Sequence, residues 1–290
     1  MKSNYRYIVK AFMAMAVIAG TTSCDDFLDR EPMSSISPGT YYSTAAQLEA
    51  NLNDEYPNVL PSFGQWTYGI FGEDKGTDNQ IEVNANDRYT QDRWKVPHSE
   101  SDNWKFERIY RINFFLSEAL PKFGEDMSGS QNTISGSVAT IKHYIGEMYF
   151  LRAYEYFKKL QLFGDFPIID QPLADEMEAL REASKRFPRN EVARFIISDL
   201  DKAYAYMSDV DMATTRINKD AAMLVKSRVA LFEATWLQNF KGTAFVPGGE
   251  GWPGASLHNN YQYPSGNLDN EVKYFLDCLL YTSPSPRDCS

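Results

Sequence analysis

The chain has 290 residues, 43% of them apolar and 23% charged, and a net charge of −10. That is long and apolar enough for one or two domains with a sizeable core, which excludes a disordered chain, and the acidic balance gives no electrostatic reason to seek nucleic acid or an anionic membrane. Of its three cysteines only Cys24 lies outside the segment 278–290, so a zinc site of four cysteines, or of two cysteines and two histidines, is excluded from the body of the chain.

Lys2, Arg6 and Lys10 precede the apolar run AFMAMAVIAG, residues 11–20. A basic stretch, a short apolar stretch and small residues make a secretory signal. An apolar core of about ten residues is too short for a spanning helix, which needs about 20. Residues 1–23 are therefore expected to be cleaved. The small residues run straight into Cys24, which resembles a bacterial lipobox, in which the cysteine is lipidated and becomes the first mature residue. Thr21 stands where Leu is usual, and a soluble secreted protein with a stray cysteine is the alternative. Loss of the three basic residues takes the charge to about −13. Asp25, Asp26 and Asp29 follow at once. They resemble the export signal of surface lipoproteins in Bacteroidetes-type bacteria; a solvated tether is the alternative. Nothing after residue 23 is long and apolar enough to cross a bilayer, so attachment is expected through lipid only.

Residues 25–40 read as a tether with turn residues Pro32, Pro38 and Gly39. Ser43 or Thr44 then caps a helix carrying Ala46, Leu48, Leu52 and Tyr56. Residues 57–103 are rich in Pro, Gly, Asn and Asp and read as a long irregular loop, a kind that is usually functional or mobile. In WKFERIYRINFFLSEAL, Phe106, Ile109, Tyr110, Asn113, Leu116 and Leu120 recur at helical spacing. A Gly/Ser loop over 124–137 leads to the strongest helix, 141–164. Ile141, Ile145, Met148, Arg152, Tyr156, Leu160 and Phe163 share one face of it, and most of the remainder is apolar too. Such a helix is central, and Gly164 is a natural C-cap. The charge of Arg152 on that face calls for a carboxylate, Asp199 or Asp165.

NEVARFIISDLDKAYAYM predicts a helix capped by Asn190, with Val192, Phe195, Ile196, Leu200, Ala203, Tyr204 and Met207 buried. NKDAAMLVKSRVALFEATWLQNF predicts another, capped by Asn218. Ala221, Ala222, Ser227 and Ala230 let helices approach closely, which suggests a tetratricopeptide-like repeat without its full signature. Residues 242–267 form a second Gly/Pro/aromatic loop. LDNEVKYFLD opens a last helix whose pattern stops at Asp277. The remaining residues, CLLYTSPSPRDCS, hold two prolines that cannot continue a helix. They resemble translated sequencing-adapter DNA, and the expectation is a non-native tail over 278–290 on a truncated protein.

CDDFLDREP, WKFERIYRINFFL, FIISDLDKA and AAMLVKSRVALFEATW each resemble stretches of one family. GEMYFLRAYEYFKKLQLFGDFPII, residues 146–169, carries the most specific likeness. The family is the SusD/RagB group of outer-membrane nutrient-binding lipoproteins, and the resemblance covers nearly all of residues 24–277. It departs in one place: Trp104 stands six residues before Tyr110 rather than four. The resemblance implies a mainly α-helical fold, a tetratricopeptide-like scaffold with long irregular loops that bind glycans, or peptides in the RagB branch. It implies a surface lipoprotein of the outer membrane that caps a SusC-like TonB-dependent transporter and hands it oligosaccharide. Residues 24–277 would be the N-terminal part of such a domain. A scaffold that gates the transporter without binding ligand is a third reading.

Sugar recognition needs flat apolar faces and polar groups for hydroxyls. The first loop offers Trp66, Tyr68 and Trp94 with Asp74, Asp78, Arg88 and Arg93 nearby; the second offers Trp252 and Tyr261. Each aromatic could instead pin its own loop to the scaffold. Trp104 is expected to pack in the core. Catalysis is not expected. The histidines His98, His143 and His258 make no His-Glu-x-x-His pattern, and there is no Gly-x-Ser-x-Gly elbow and no phosphate loop. The neighbours Glu73 and Asp74 do not fix the separation a glycosidase pair needs. No cofactor or metal is expected.

Overall fold

A computed structural model of the chain describes residues 41–61, 103–124, 126–208, 212 and 215–282. These hold seven α-helices: α1 (Ala45–Val59), α2 (Glu107–Phe123), α3 (Val138–Phe163), α4 (Met177–Ala183), α5 (Arg189–Tyr206), α6 (Lys219–Asn239) and α7 (Leu268–Thr282). All lie in the unit that begins at Tyr42. Among the described residues extended pairing is limited to two isolated bridges, Thr44 with Ser135 and Phe166 with Phe187. The mainly α-helical expectation holds.

Local capping explains several boundaries. Thr44 and Gln47 form a capping box that starts α1. Ser137 caps α3, and the Asn218 side chain accepts the Ala221 amide at 2.9 Å to start α6. Gly164 ends α3 at φ 68°, a conformation that favours glycine. The start of α5 differs from the sequence expectation. Pro188, not Asn190, is the cap residue, and it has no side chain that can accept a hydrogen bond. Asp165, from the segment that leaves α3, accepts the Arg189 amide at 2.9 Å instead. Asn190 is buried and donates to Tyr261 and Glu271.

The helices pack in a row. α3 lies against α1, α2 and α5; α5 packs on α6, and α6 on α7. α3 is buried along nearly its whole length, from Ile141 to Leu160, as its all-round apolar sequence requires. Most of the residues expected to face inward on α2 and α5 are buried, and one tyrosine on each helix faces out instead. On α2 the inward residues are Ile109, Ile112, Asn113, Leu116 and Ala119, while Tyr110 is half exposed. Asn113 sets that face, because its amide reaches Arg152 and the Ile169 carbonyl. On α5 Tyr206 is buried and Tyr204 points outward. Helix α7 does not stop at Asp277 but runs to Thr282. Cys278, Leu279 and Leu280 contain no helix breaker, and the first proline is Pro284, which disfavours helix only at the residue before it. Residues 283–290 lie outside the described residues. The short helix α4 answers to no expectation from sequence.

Buried ion pairs join the helices. Arg152 of α3 donates to both Asp199 oxygens of α5 at 2.6 and 2.8 Å. Arg189 of α5 holds Glu233 of α6 at 2.9 to 3.1 Å. Arg194 and Asn190 of α5 hold Glu271 of α7. Glu147 of α3 takes Arg216 at 2.7 and 2.8 Å and the Tyr56 hydroxyl of α1 at 2.8 Å.

Two expected outcomes follow from this packing. A Cβ placed on Gly146 would stand 2.8 Å from the Met207 nitrogen and 2.9 Å from the Ala203 carbonyl, both backbone atoms at the end of α5. In an isolated helix Gly→Ala stabilises by about 1 kcal/mol. Here Gly146→Ala should destabilise by about 1–3 kcal/mol, read as a lower urea midpoint; a raised midpoint would show that the helices are not in close contact. For Glu271, burial pushes the carboxyl up, but the bonds from Arg194, Asn190 and the Ser265 amide outweigh it and hold the group below its ordinary value of 4.5. Its stabilising contribution is present above about pH 4.5 and is lost as pH falls through the depressed folded-state value. The pH profile of the urea midpoint should therefore be steeper in this region for the native chain than for Glu271→Gln. Parallel profiles would contradict it.

Candidate functional site

The segment leaving α3 and the loop after α6 meet at one place. Asp165 accepts two protein donors there, the Arg189 amide through Oδ1 and the Trp252 indole N–H through Oδ2 at 2.7 Å. Burial pushes the Asp165 carboxyl up, against the pull of these two donors and of the Arg189 and Arg186 charges. The Trp252 ring is 5% exposed and stacks on His258, whose Nε2 lies 2.8 Å from the Arg186 carbonyl. The loop is thereby fastened to both ends of the connection between α3 and α5.

A cleft of about 490 Å³ opens at this junction. One wall is the end of α3 with Leu162 and Asp165, another is Arg186 and Arg189, and a third is Trp236 with Phe245 and Leu257. The rings are ordered by their own helix. Phe232 and Trp236 on α6 and Phe240 at its C-cap recur every four residues, and Trp236 and Phe240 lie 4.5 Å apart between centroids. The Trp236 indole donates to the Phe245 carbonyl at 3.0 Å, and the Arg189 guanidinium sits 4.0 Å from the Trp236 ring. The rim is apolar and open: Phe245 is 62% exposed, Leu162 58% and Leu257 53%. Isolated exposed apolar residues are ordinary, but several around one cleft mark a contact surface. The arrangement offers flat apolar faces beside a carboxylate and guanidinium groups, a combination suited to a ligand with apolar ring faces and many hydroxyls. A smaller cavity of about 340 Å³ shares Leu162 and is lined by Lys105, Arg108, Glu155 and Lys159. Glu155 is ion-paired there with Arg108, Lys158 and Lys159.

Of the residues singled out from sequence, Trp252 is at the cleft, but as the buried anchor of its loop rather than as an open platform. Tyr261 is likewise engaged, with Asn190. Cys24, Trp66, Tyr68, Asp74 and Trp94 lie outside the described residues, as do Glu73, Asp78, Arg88 and Arg93. Trp104 packs against Phe106, Phe163 and Phe166. Arg152 has Asp199, not Asp165, as its partner. Sequence reasoning missed Trp236, Phe245 and Arg186; the four-residue spacing of rings on α6 was the signal that could have found the first. His143 is buried and bonded to Glu147 and the Ile217 carbonyl. Among the described residues there is no cluster of three His, Cys, Asp or Glu able to hold a metal ion, and no helix long and apolar enough to cross a membrane.

Comparison with known proteins gives this geometry a context. A SusD-like family model, described as starch-binding and associating with the outer membrane, matches residues 26–231. The SusD-like protein P2 of Formosa agariphila is 25% identical over 253 residues, which cover 83% of this chain and 46% of that protein. SusD-like protein P25 of the same organism is 25% identical over 233 residues, 74% of this chain and 41% of its own. A crystal structure of a SusD-like carbohydrate binding protein from Bacteroides fragilis aligns with a TM-score of 0.45 and 19% identity over 69% of this chain and 40% of that one. The chain spans less than half the length of these relatives. With the family model matched over most of its length, the chain belongs to the SusD-like family.

Proposed function

We propose that this protein is a cell-surface lipoprotein, anchored in the outer membrane through Cys24, that captures oligosaccharide and hands it to a SusC-like TonB-dependent transporter. It acts by binding and not by catalysis. The observation that carries the reading is the open, aromatic-rimmed cleft between α3, α5 and the loop after α6, found in a chain of a family described as starch-binding. Sugar rings present C–H faces that pack on Phe245 and Trp236, and hydroxyls that pair with charged side chains at the wall. The acidic body of the chain agrees with a tether that carries it away from an anionic bilayer surface.

The reading is tested by calorimetry with a panel of oligosaccharides, malto-oligosaccharides among them. Phe245→Ala removes an exposed ring, so the fold should survive, and affinity should fall about three- to tenfold. Full affinity in that variant would remove the cleft from the account. Binding of peptides but of no oligosaccharide would overturn the glycan reading in favour of peptide capture. For the anchor, Cys24→Ala should move the protein from the membrane fraction to the soluble fraction of the expressing cells, and retention in the membrane would contradict lipid attachment at that residue.

A further inference from the structure

The charged groups around the cleft differ in one respect. Asp165 has both oxygens occupied by protein donors. Arg189 is held by Glu233 through three hydrogen bonds. Arg186 is exposed and has no such tie: among the described residues no carboxylate stands within ion-pair distance of its guanidinium, whereas Arg152, Arg189, Arg194 and Arg216 each hold one. Its side chain nonetheless has a ring to rest on. The guanidinium lies 4.6 Å from the centre of the Trp104 ring, and Trp104 is itself wedged among Phe106, Phe163 and Phe166 with centroids at 4.9 to 5.7 Å. Stacking uses the flat face of a guanidinium and leaves its N–H edge free to donate. The Arg186 carbonyl is fastened as well, by His258.

Resting on the carbohydrate-capture function above, we infer that the cleft selects an acidic glycan, whose carboxylate or sulfate group is taken by the free edge of Arg186 while the sugar face lies on Phe245 and Leu257. A pre-stacked guanidinium is suited to an oxyanion, because it offers two parallel N–H donors and loses little freedom on binding. The net charge of −10 does not oppose this at contact. Exposed charges farther away than about 8 Å are largely screened at physiological ionic strength. Asp165 is near enough to feel Arg186, but its oxygens face Trp252 and the Arg189 amide. Arg186 therefore offers the cleft an unclaimed positive edge.

The test is calorimetry on the 290-residue chain with three oligosaccharides of equal length: an oligogalacturonate, a sulfated galactan fragment and a malto-oligosaccharide. The native chain should bind at least one acidic ligand about tenfold more tightly than the neutral one, the size of one charge-assisted hydrogen bond. Added salt should weaken that preference. In Arg186→Ala the acidic-to-neutral ratio should fall to about one, and Arg186→Lys should restore part of it. Thermal melts of both variants check folding; Arg186 is exposed, so they should match the native chain. Preference for the carboxylated or for the sulfated ligand alone supports the inference and names the group. Equal affinity for neutral and acidic ligands, or an unchanged ratio in Arg186→Ala, overturns it and leaves carbohydrate capture standing. Failure of all three ligands to bind counts against both.

Discussion

Arg152 carries a full charge at 3% exposure, and the helical row is arranged around it. Taking an ion of this size out of water costs several kcal/mol, so the site is viable only if its donors are met. They are met from three directions. Asp199 of α5 takes Nε and one terminal nitrogen; Asn113 of α2 and the Asp170 carbonyl take the other at 2.9 Å each. The rings of Tyr149 and Phe195 flank the guanidinium at 5.3 and 5.2 Å. One side chain thus fixes the rotation of α2, the register of α5 against α3, and the path of the chain as it leaves α3. Apolar packing alone would tolerate several such arrangements, because α3 is apolar on nearly every side.

The cleft inherits its geometry from that path. The chain turns at Gly164 and presents Asp165, which caps α5 from outside and fastens Trp252. With α5 placed, Arg189 reaches Glu233 on α6, and α6 brings Trp236 to the cleft wall. Each step is a buried or half-buried polar contact between elements far apart in sequence. The Gly-Asp-Phe-Pro exit is thus a device that joins two helices and a loop, and the apolar rim is what those joined pieces leave exposed. If the cleft is the binding surface proposed, its placement on helices and a fastened loop would lower the entropy lost on binding.

What could be read from sequence was what local chemistry decides. Thr44, Asn218 and Gly164 act through residues within four positions of themselves, and all three were legible. The all-round apolar α3 was legible as the centre, and the Arg152 charge as one needing a carboxylate. Asn190 was misread as a cap because the acceptor that does the capping, Asp165, lies 24 residues before Arg189, whose amide it takes. Tyr110 and Tyr204 were placed inward because tyrosine suits either face, and only the polar contacts of Asn113 and Asp199 settle the rotation. Trp252 has the composition of a ligand platform, yet its N–H found a buried carboxylate. Trp236 was not singled out from sequence at all. Its half-exposed position depends on where α6 ends relative to the loop that follows, which no spacing rule records.

Amide hydrogen exchange on the whole chain, with and without an oligosaccharide that it binds by calorimetry, reaches the central claim most directly. If the cleft joined by Asp165 is the binding surface, ligand should slow exchange in the loop over 242–257 and at the C-terminal turn of α6, and leave α1 unchanged. Protection confined to residues 62–102, with the loop after α6 exchanging as before, would place the ligand elsewhere and leave the cleft as a structural junction only.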